Sequence, residues 1–312
     1  MSNKRVAVMG AHRFKLNLDK STIIRLASLN VHGLCSEVKK SCLIKYAINY
    51  KCDIISLQET KSPDIDRNID GFRLLTFEAK NRHYGLGFVL SPRIAQHVSE
   101  TWVFSDRIAV LRLSSTEKGR RRFLSVINVY APTSPVSKDR PEIRDKFYQD
   151  LQDTITKQKG DTILIAGDLN SKVGSKQDEV ETCLGSFSKG KQNENGEELV
   201  RFCLDKSLFI SNSAFKHKSA HITTWTGQWT DKNTGKTFPI YNQIDFILVP
   251  NWLKQNLINS RTYSGILATT DHRLLIKTLT QFKCSIYKIS IPNKQRDSPF
   301  RHLQTFQPGC EI

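Results

Sequence analysis

The segment Ile163-Leu164-Ile165-Ala166-Gly167-Asp168-Leu169-Asn170 runs an all-apolar stretch directly into a Gly-Asp-x-Asn turn. A short apolar run bounded by glycine has the length of a buried strand rather than a helix. The polar pair behind it is then delivered to the strand's end, where loops held by a rigid scaffold form sites. By itself the turn also has an ordinary reading, because Asp and Asn bond their own backbone in tight turns. The arrangement recurs, however. Arg25–Leu29 ends at Asn30-Val31-His32-Gly33, Asp53–Leu57 at Gln58-Glu59-Thr60, and Leu124–Val129 at Tyr130-Ala131-Pro132-Thr133. Gln243–Val249 carries Asp245 inside an apolar strand, and Thr269-Thr270-Asp271-His272 leads into Leu274-Leu275-Ile276. Six polar clusters, each seated on an apolar run, predict one shared rim.

Between these strands lie helical periodicities. Ser36 to Tyr50 puts Val38, Cys42, Leu43, Tyr46 and Ala47 on one face, with Ser36 as the expected N-cap. Asp139 to Lys157 repeats the pattern through Ile143, Phe147, Leu151 and Ile155, with Pro141 suited to a first turn. Further strands are read at Tyr84–Leu90 and Ile108–Leu113, then a Gly/Asn/Lys-rich loop at Ser188–Gly196 and a short helix carrying Leu199, Phe202 and Cys203. Residues 1–21 are basic and aperiodic and read as a flexible arm, residues 22–280 as one domain, and 281–312 as a tail interrupted by Pro292, Pro299 and Pro308. Strands outnumber helices and the helices fall between strand pairs, which predicts an α/β fold of four layers, an αββα sandwich.

Forty-seven Lys and Arg against thirty Asp and Glu give a net charge of +17, which favours a polyanionic partner. The triplet Arg120-Arg121-Arg122, in an expected hairpin, is the candidate nucleic-acid contact, while the rim itself is acidic. A basic surface around an acidic centre suits an enzyme that holds an anion and a metal together. Seven cysteines, odd in number and without a CxxC pair, suggest neither a disulfide framework nor a zinc ribbon; Cys42 and Cys203 fall on apolar helical faces and read as core. No run approaches a membrane span and no signal segment is apparent, so an intracellular, soluble protein, nuclear or cytoplasmic, is expected.

The ordered motifs N-x-x-G, QET, NVYAPT, GDxN, xIDxIL and DH, spread over about Ile23 to Leu279, resemble the endonuclease/exonuclease/phosphatase superfamily. Ser211-Asn212-Ser213, Thr223-Thr224-Trp225-Thr226 and Gln243-Ile244-Asp245 resemble, within it, the endonuclease domain of non-LTR retrotransposons of the RTE or BovB kind, or a host protein derived from one. The resemblance implies the same αββα, DNase I-like sandwich. It also implies hydrolysis of a phosphodiester in duplex DNA. Repulsion between an anionic diester and hydroxide calls for a divalent metal, and carboxylate oxygens suit Mg²⁺ or Mn²⁺. Glu59 is the expected ligand and Asp271 an outer one.

Carried over residue by residue, the resemblance implies that Asp168, oriented by Asn30, takes a proton from water. Asn170 and Tyr130 then meet phosphate oxygens, and His272, oriented by Asp245, stabilises or protonates the phosphoryl centre. One position departs: repair-type members carry Asn-x-Asp-Gly where this chain has His32, and the acid's role is not transferred to the imidazole. The readings left open are a nicking endonuclease that leaves a 3′-hydroxyl for reverse transcription, an abasic-site repair endonuclease, a superfamily phosphatase, and a non-catalytic chromatin binder. No reverse transcriptase follows in this chain, so an isolated domain or a truncated element is expected.

Overall fold

In the computed structural model of the protein, the described residues are 23–280 apart from 118–119, 135–138, 177–179, 266, 268 and 269, together with the backbone of Arg5–Val6. The alternation within each apolar run decides which layer each side chain meets, since successive residues of a strand face opposite sides. One seven-stranded sheet has the order β1 (Arg5–Val6), β7 (Val98–Ser105), β8 (Ile108–Glu117), β9 (Arg120–Tyr130), β10 (Thr162–Asp168), β14 (Asp245–Pro250), β11 (Leu208–Ile210). The other has the order β15 (Leu257–Tyr263), β16 (Leu274–Thr280), β2 (Ile23–Asn30), β3 (Ile54–Gln58), β6 (Leu86–Leu90), β5 (Phe72–Phe77), β4 (Ile65–Ile69). A separate hairpin pairs β12 (Trp225–Thr230) with β13 (Thr237–Asn242).

Leu164 and Ala166 of β10 share one buried cluster with Leu26, Ile54, Phe88, Val126 and Ile247, which is the layer between the sheets. The intervening Ile165 packs the other way, with Phe147 and Leu151 of α3 (Pro141–Lys157) and Leu199 and Phe202 of α4 (Glu194–Asp205). On the opposite outer face Leu43, Ile44 and Ala47 of α1 (Glu37–Asn49) cover Leu29, Ile55, Leu57 and Ile276. A short α2 (Pro92–Ala95) joins β6 to β7. The four layers are the expected αββα sandwich. Among the described residues no helix is long and apolar enough to cross a membrane.

Local departures from the expected pattern have physical causes. On α1 the buried face is Lys40, Leu43, Ile44 and Ala47, while Val38 is 79% exposed and Ser36 makes no side-chain cap bond. Lys40 can lie on this face because its stem packs while its ammonium reaches Glu37 at 2.8 Å. α4 starts at Glu194, inside the expected loop, because the Asn193 side chain accepts from Gly196 N and caps the first turn. Cys203 is fully buried and Cys42 half-buried. The expected basic arm and tail lie outside the described residues, except that the backbone of Arg5–Val6 pairs with Trp102 and Thr101 of β7.

One charged residue sits in the inter-sheet layer with no carboxylate paired to it among the described residues. Lys277 is fully buried; its Nζ donates to the Ser211 carbonyl at 3.4 Å and lies 4.2 Å from the Phe215 ring centroid. Burial pushes the amine down to about 6. Between that value and the unfolded value of about 10.4 the unfolded chain holds a proton the native state lacks, so stability should rise with pH across that window. Lys277→Met, similar in volume, should remove this dependence and raise stability at pH 7 by roughly 1–3 kcal/mol. Urea unfolding at several pH values checks it; a variant less stable than wild type with an unchanged pH slope would contradict it.

Candidate active site

Six strands deliver polar residues to one end of the inter-sheet layer. Asn30, Gln58, Tyr130 and Asp168 are the last residues of β2, β3, β9 and β10, Asp245 is the first of β14, and His272 stands two residues before β16. Register aligns them: Asp168 is opposite both Tyr130 and Asp245, and Asn30 is opposite Gln58. Gly167 allows this approach, because a Cβ there would lie 2.0 Å from the Val129 carbonyl oxygen. The alternation that buries Leu164 and Ala166 between the sheets turns Asp168 the same way.

The side chains form a connected array. The Asn30 amide Nδ2 donates to Glu59 Oε1 at 2.9 Å and to Asp168 Oδ2 at 3.1 Å. The Tyr130 hydroxyl donates to the same Glu59 Oε1 at 2.9 Å, and Lys61 Nζ meets the other oxygen, Oε2, at 2.9 Å. Asp168 Oδ1 accepts from the Asn170 backbone N–H at 3.0 Å. Asp245 approaches His272 Nδ1 with both oxygens, at 3.0 and 3.2 Å, and His272 Nε2 faces Asp168 Oδ2 at 3.7 Å. Glu59 and Asn170 both have φ near +50°, at 49° and 47°, a conformation that costs a non-glycine residue energy and is tolerated where surroundings enforce it.

Burial and charge set the protonation pattern. Burial pushes the Glu59 carboxyl up, but the hydrogen bonds from Asn30, Lys61 and Tyr130 win and hold it below the ordinary glutamate value. Asp168 moves the other way, raised by burial and by the neighbouring Asp245 charge against the opposing help of His272, Asn30 and Asn170. For His272 burial disfavours the charged ring, yet Asp245, Asp168 and Asp271 outweigh it and the imidazole is raised towards the imidazolium. Tyr130 is raised by burial and by the Glu59 and Asp168 charges, so it stays a phenol donor.

Asn30, Glu59, Tyr130, Asp168, Asp245 and His272 therefore meet in one array. Asp271 sits at its edge, with Oδ1 3.9 Å from His272 Nε2 and Oδ2 accepting from Trp225 Nε1 at 2.7 Å. The Asn170 carboxamide spends one N–H on the Ala131 carbonyl at 2.8 Å, and the second has no acceptor among the described residues. His32, φ 45°, has its backbone N–H on Asn30 Oδ1 at 3.2 Å. Arg121 and Arg122 of the expected nucleic-acid triplet stand apart from the array. Arg121 and Arg122 precede Tyr130 by nine and eight residues on the same strand, about 26–30 Å away at roughly 3.3 Å per residue. The Arg120 side chain lies outside the described residues.

Sequence reasoning missed the residues that hold the array in place. Lys61 follows the Gln-Glu-Thr motif directly, and its adjacency was the available signal. Thr270 Oγ1 donates to the Asn30 carbonyl at 2.7 Å and accepts from His272 N at 3.2 Å, tying β2 to the histidine turn. Asn212 bridges the Asp245 carbonyl and the Ile247 N–H, while Thr224 Oγ1 accepts from Ile244 and Asp245 N–H. Those two residues belong to the Ser211–Ser213 and Thr223–Thr226 blocks, whose part is thus to fix the backbone beneath Asp245.

Asp168, Asp245 and His272 offer ligand atoms within 4.8 Å of one another and are the one such group of three found among the described residues. Nδ1 of His272 is already committed to Asp245 and the ring favours its protonated form, which has no lone pair for a metal. Glu59 is the better donor. Its carboxylate is held ionised, and the Lys61 ammonium stands beside Oε2 as a cation already drawn to that oxygen. A site of one carboxylate with an outer acid suits a small hard cation that keeps most of its waters.

The chain is 32% identical over 199 residues to craniofacial development protein 2 of Bos taurus, across 62% of this chain and 30% of that protein, and equally to its counterpart in Tragulus javanicus. It thus spans under a third of the curated relatives it matches. Among solved structures, the AP endonuclease LMAP from Leishmania major aligns with a TM-score of 0.60 at 15% identity, covering 88% of this chain and 93% of that one. The endonuclease domain of TRAS1, a telomere-specific non-LTR retrotransposon, aligns with a TM-score of 0.52 at 12% identity, covering 83% and 98%. Both likenesses are of fold. Residues 27–272 match the Endonuclease/Exonuclease/phosphatase family, and the chain belongs to it.

Proposed function

We propose that the chain is a metal-dependent DNA endonuclease that hydrolyses a phosphodiester and leaves a 3′-hydroxyl. The observation that carries this reading is the pairing of a buried, raised Asp168 with the Asp245–His272 ion pair 3.7 Å away, beside an ionised Glu59. Asp168 is a base strengthened by its surroundings, held by Asn30 and the Asn170 N–H so that its carboxylate faces the site; it would accept a proton from the attacking water. His272, charged and fixed by Asp245, donates Nε2–H to the phosphoryl oxygens as negative charge builds on them. The second N–H of Asn170 serves the same oxygens, and the Tyr130 phenol orients Glu59. Glu59, with Asp271 further out, would hold Mg²⁺ or Mn²⁺, which when bound neutralises the diester and steadies the leaving oxygen.

The charge of +17 supports duplex DNA over a small phosphate ester as substrate. The finer reading, nicking that supplies a primer for reverse transcription, is supported by the TRAS1 endonuclease fold and by the Asn212 and Thr224 blocks under Asp245. The test is supercoiled plasmid incubated with Mg²⁺ or with EDTA, run beside abasic duplex, single-stranded RNA and inositol phosphates. Conversion to relaxed circles only with Mg²⁺ is expected. Turnover of inositol phosphate without nicking, or nicking indifferent to chelator, would overturn the reading.

Glu59→Gln keeps the shape and the Asn30 and Tyr130 contacts but removes the charge. It should retain the fold and DNA binding while lowering nicking by roughly 10²-fold or more, the order seen when one electrostatic stabiliser is lost. Nicking and anisotropy measured on the same preparation check it, and a variant that nicks at the wild-type rate would exclude Glu59 as the metal ligand.

A further inference from the structure

Beyond Ser114 the hairpin of β8 and β9 leaves its sheet. Ser114 N donates to the His97 carbonyl at 2.9 Å as the last link towards β7, and β10 begins opposite Leu124. The pairs Ser115↔Arg122, Thr116↔Arg121 and Glu117↔Arg120 have no third strand beside them among the described residues. A two-stranded ribbon therefore projects from the end of the sheet opposite the catalytic rim.

The described side chains of the ribbon include two arginines. Arg121 is exposed; among the described residues its Nη2 donates to Ser114 Oγ, at 3.4 Å, and its guanidinium lies 5.2 Å from the Phe123 ring. Arg122 Nε is buried with no acceptor among the described residues. Neither forms an ion pair there, whereas neighbouring Arg112 is bound by both oxygens of Asp161. As consecutive strand residues, Arg121 and Arg122 present charge on opposite faces of the ribbon.

We propose that this ribbon is a second duplex-DNA site, separate from the catalytic rim, that enters the major groove. A groove about 12 Å wide admits a two-stranded ribbon, and cationic side chains on both faces then meet the phosphates of both walls. The major groove of A-form RNA is too deep and narrow for the same entry. Because β9 runs from the rim to the ribbon, Arg121 lies about 26–30 Å from Tyr130 at roughly 3.3 Å per residue, and the ribbon's groove contact is distinct from any contact at Asp168. The site stands whether or not the rim cuts DNA.

The test is fluorescence anisotropy of a B-form duplex with the full chain in EDTA, across a range of salt concentrations. Relative to wild type, Arg121→Glu with Arg122→Glu should weaken binding about tenfold or more and flatten the slope of log K against log salt by about 2, near 0.9 per lost phosphate contact. Arg121→Gln with Arg122→Gln should move both readings the same way by less, and covers the case in which charge reversal unfolds the ribbon. Lys45→Glu with Lys51→Glu, an equal change of charge at exposed positions of α1 and its end, should leave the slope unchanged. An unchanged slope in both arginine variants would overturn the proposal. An equal effect from the lysine pair would reduce it to net charge, and an equal loss on duplex RNA would exclude groove entry. Intact DNA binding with lost binding of polyglutamate would give the ribbon to an acidic protein instead. Absence of nicking with these slopes intact would sink the catalytic reading and leave the ribbon standing.

Discussion

Asp168→Asn is expected to lower the nicking rate by roughly 10²–10⁴-fold, the range of a lost general base. The isosteric amide fits the same space at the end of β10 and can still accept one bond from Asn30 or from the Asn170 N–H, so the fold should survive. A carboxylate whose pKa is raised by burial and by Asp245 is the better base for it, and the same shift has a cost in stability. The sign is fixed by linkage: a group raised on folding contributes fully below its unfolded value of about 3.9, and that contribution is lost as pH rises through the folded value. Wild-type stability should therefore decline over that interval, and the decline should be absent in Asp168→Asn. Rates under single turnover and urea midpoints against pH test the two halves separately. A variant that retains wild-type nicking would remove Asp168 from the chemistry, and one that retains the decline would assign it to another acid.

Much of this arrangement was legible because its signals are local. The run Ile163–Ala166 has strand length, Gly167 permits the approach to Val129, and a turn of Asp and Asn has to sit where a strand ends. The face of α1 was less legible: Val38 and Cys42 satisfy helical spacing as well as Lys40 and Ile44 do, and which stripe packs is settled by the sheet beneath. The pairing of Trp225 with His272, and of Asn212 with Asp245, joins residues far apart in the chain that no local pattern connects. The arginine triplet is a different case. Since β9 ends at Tyr130 on the rim, its first residues had to lie at the far end, and the direction of the strand was already in the sequence. Lys61 was passed over because a lysine beside a motif resembles any surface charge until its Nζ is seen on Glu59.

Asp245→Asn should slide the whole pH profile of nicking to lower pH, because its carboxylate raises both groups that flank the reaction. It raises His272, with both oxygens on Nδ1, and it raises Asp168 by repulsion. Removing the charge lowers Asp168, so the base is free of its proton at lower pH and the acid limb moves down. It also lowers His272, so the imidazolium is lost sooner on the alkaline side and that limb moves down as well. In stability the ion pair acts with the sign proper to a raised histidine: its contribution is complete below about pH 6.5 and lost as pH rises through the folded value. His272→Ala should lower the rate at least as much as Asp245→Asn, by roughly 10²–10⁴-fold at the wild-type optimum. The double variant should be little worse than His272→Ala alone, since Asp245 acts through the ring it orients and residues that act as a unit are not additive. Rate profiles for the two singles and the double decide the matter. Fully multiplicative losses, or an alkaline limb that stays in place in Asp245→Asn, would mean that the 3.0 Å contact is structural and that His272 carries its charge without Asp245.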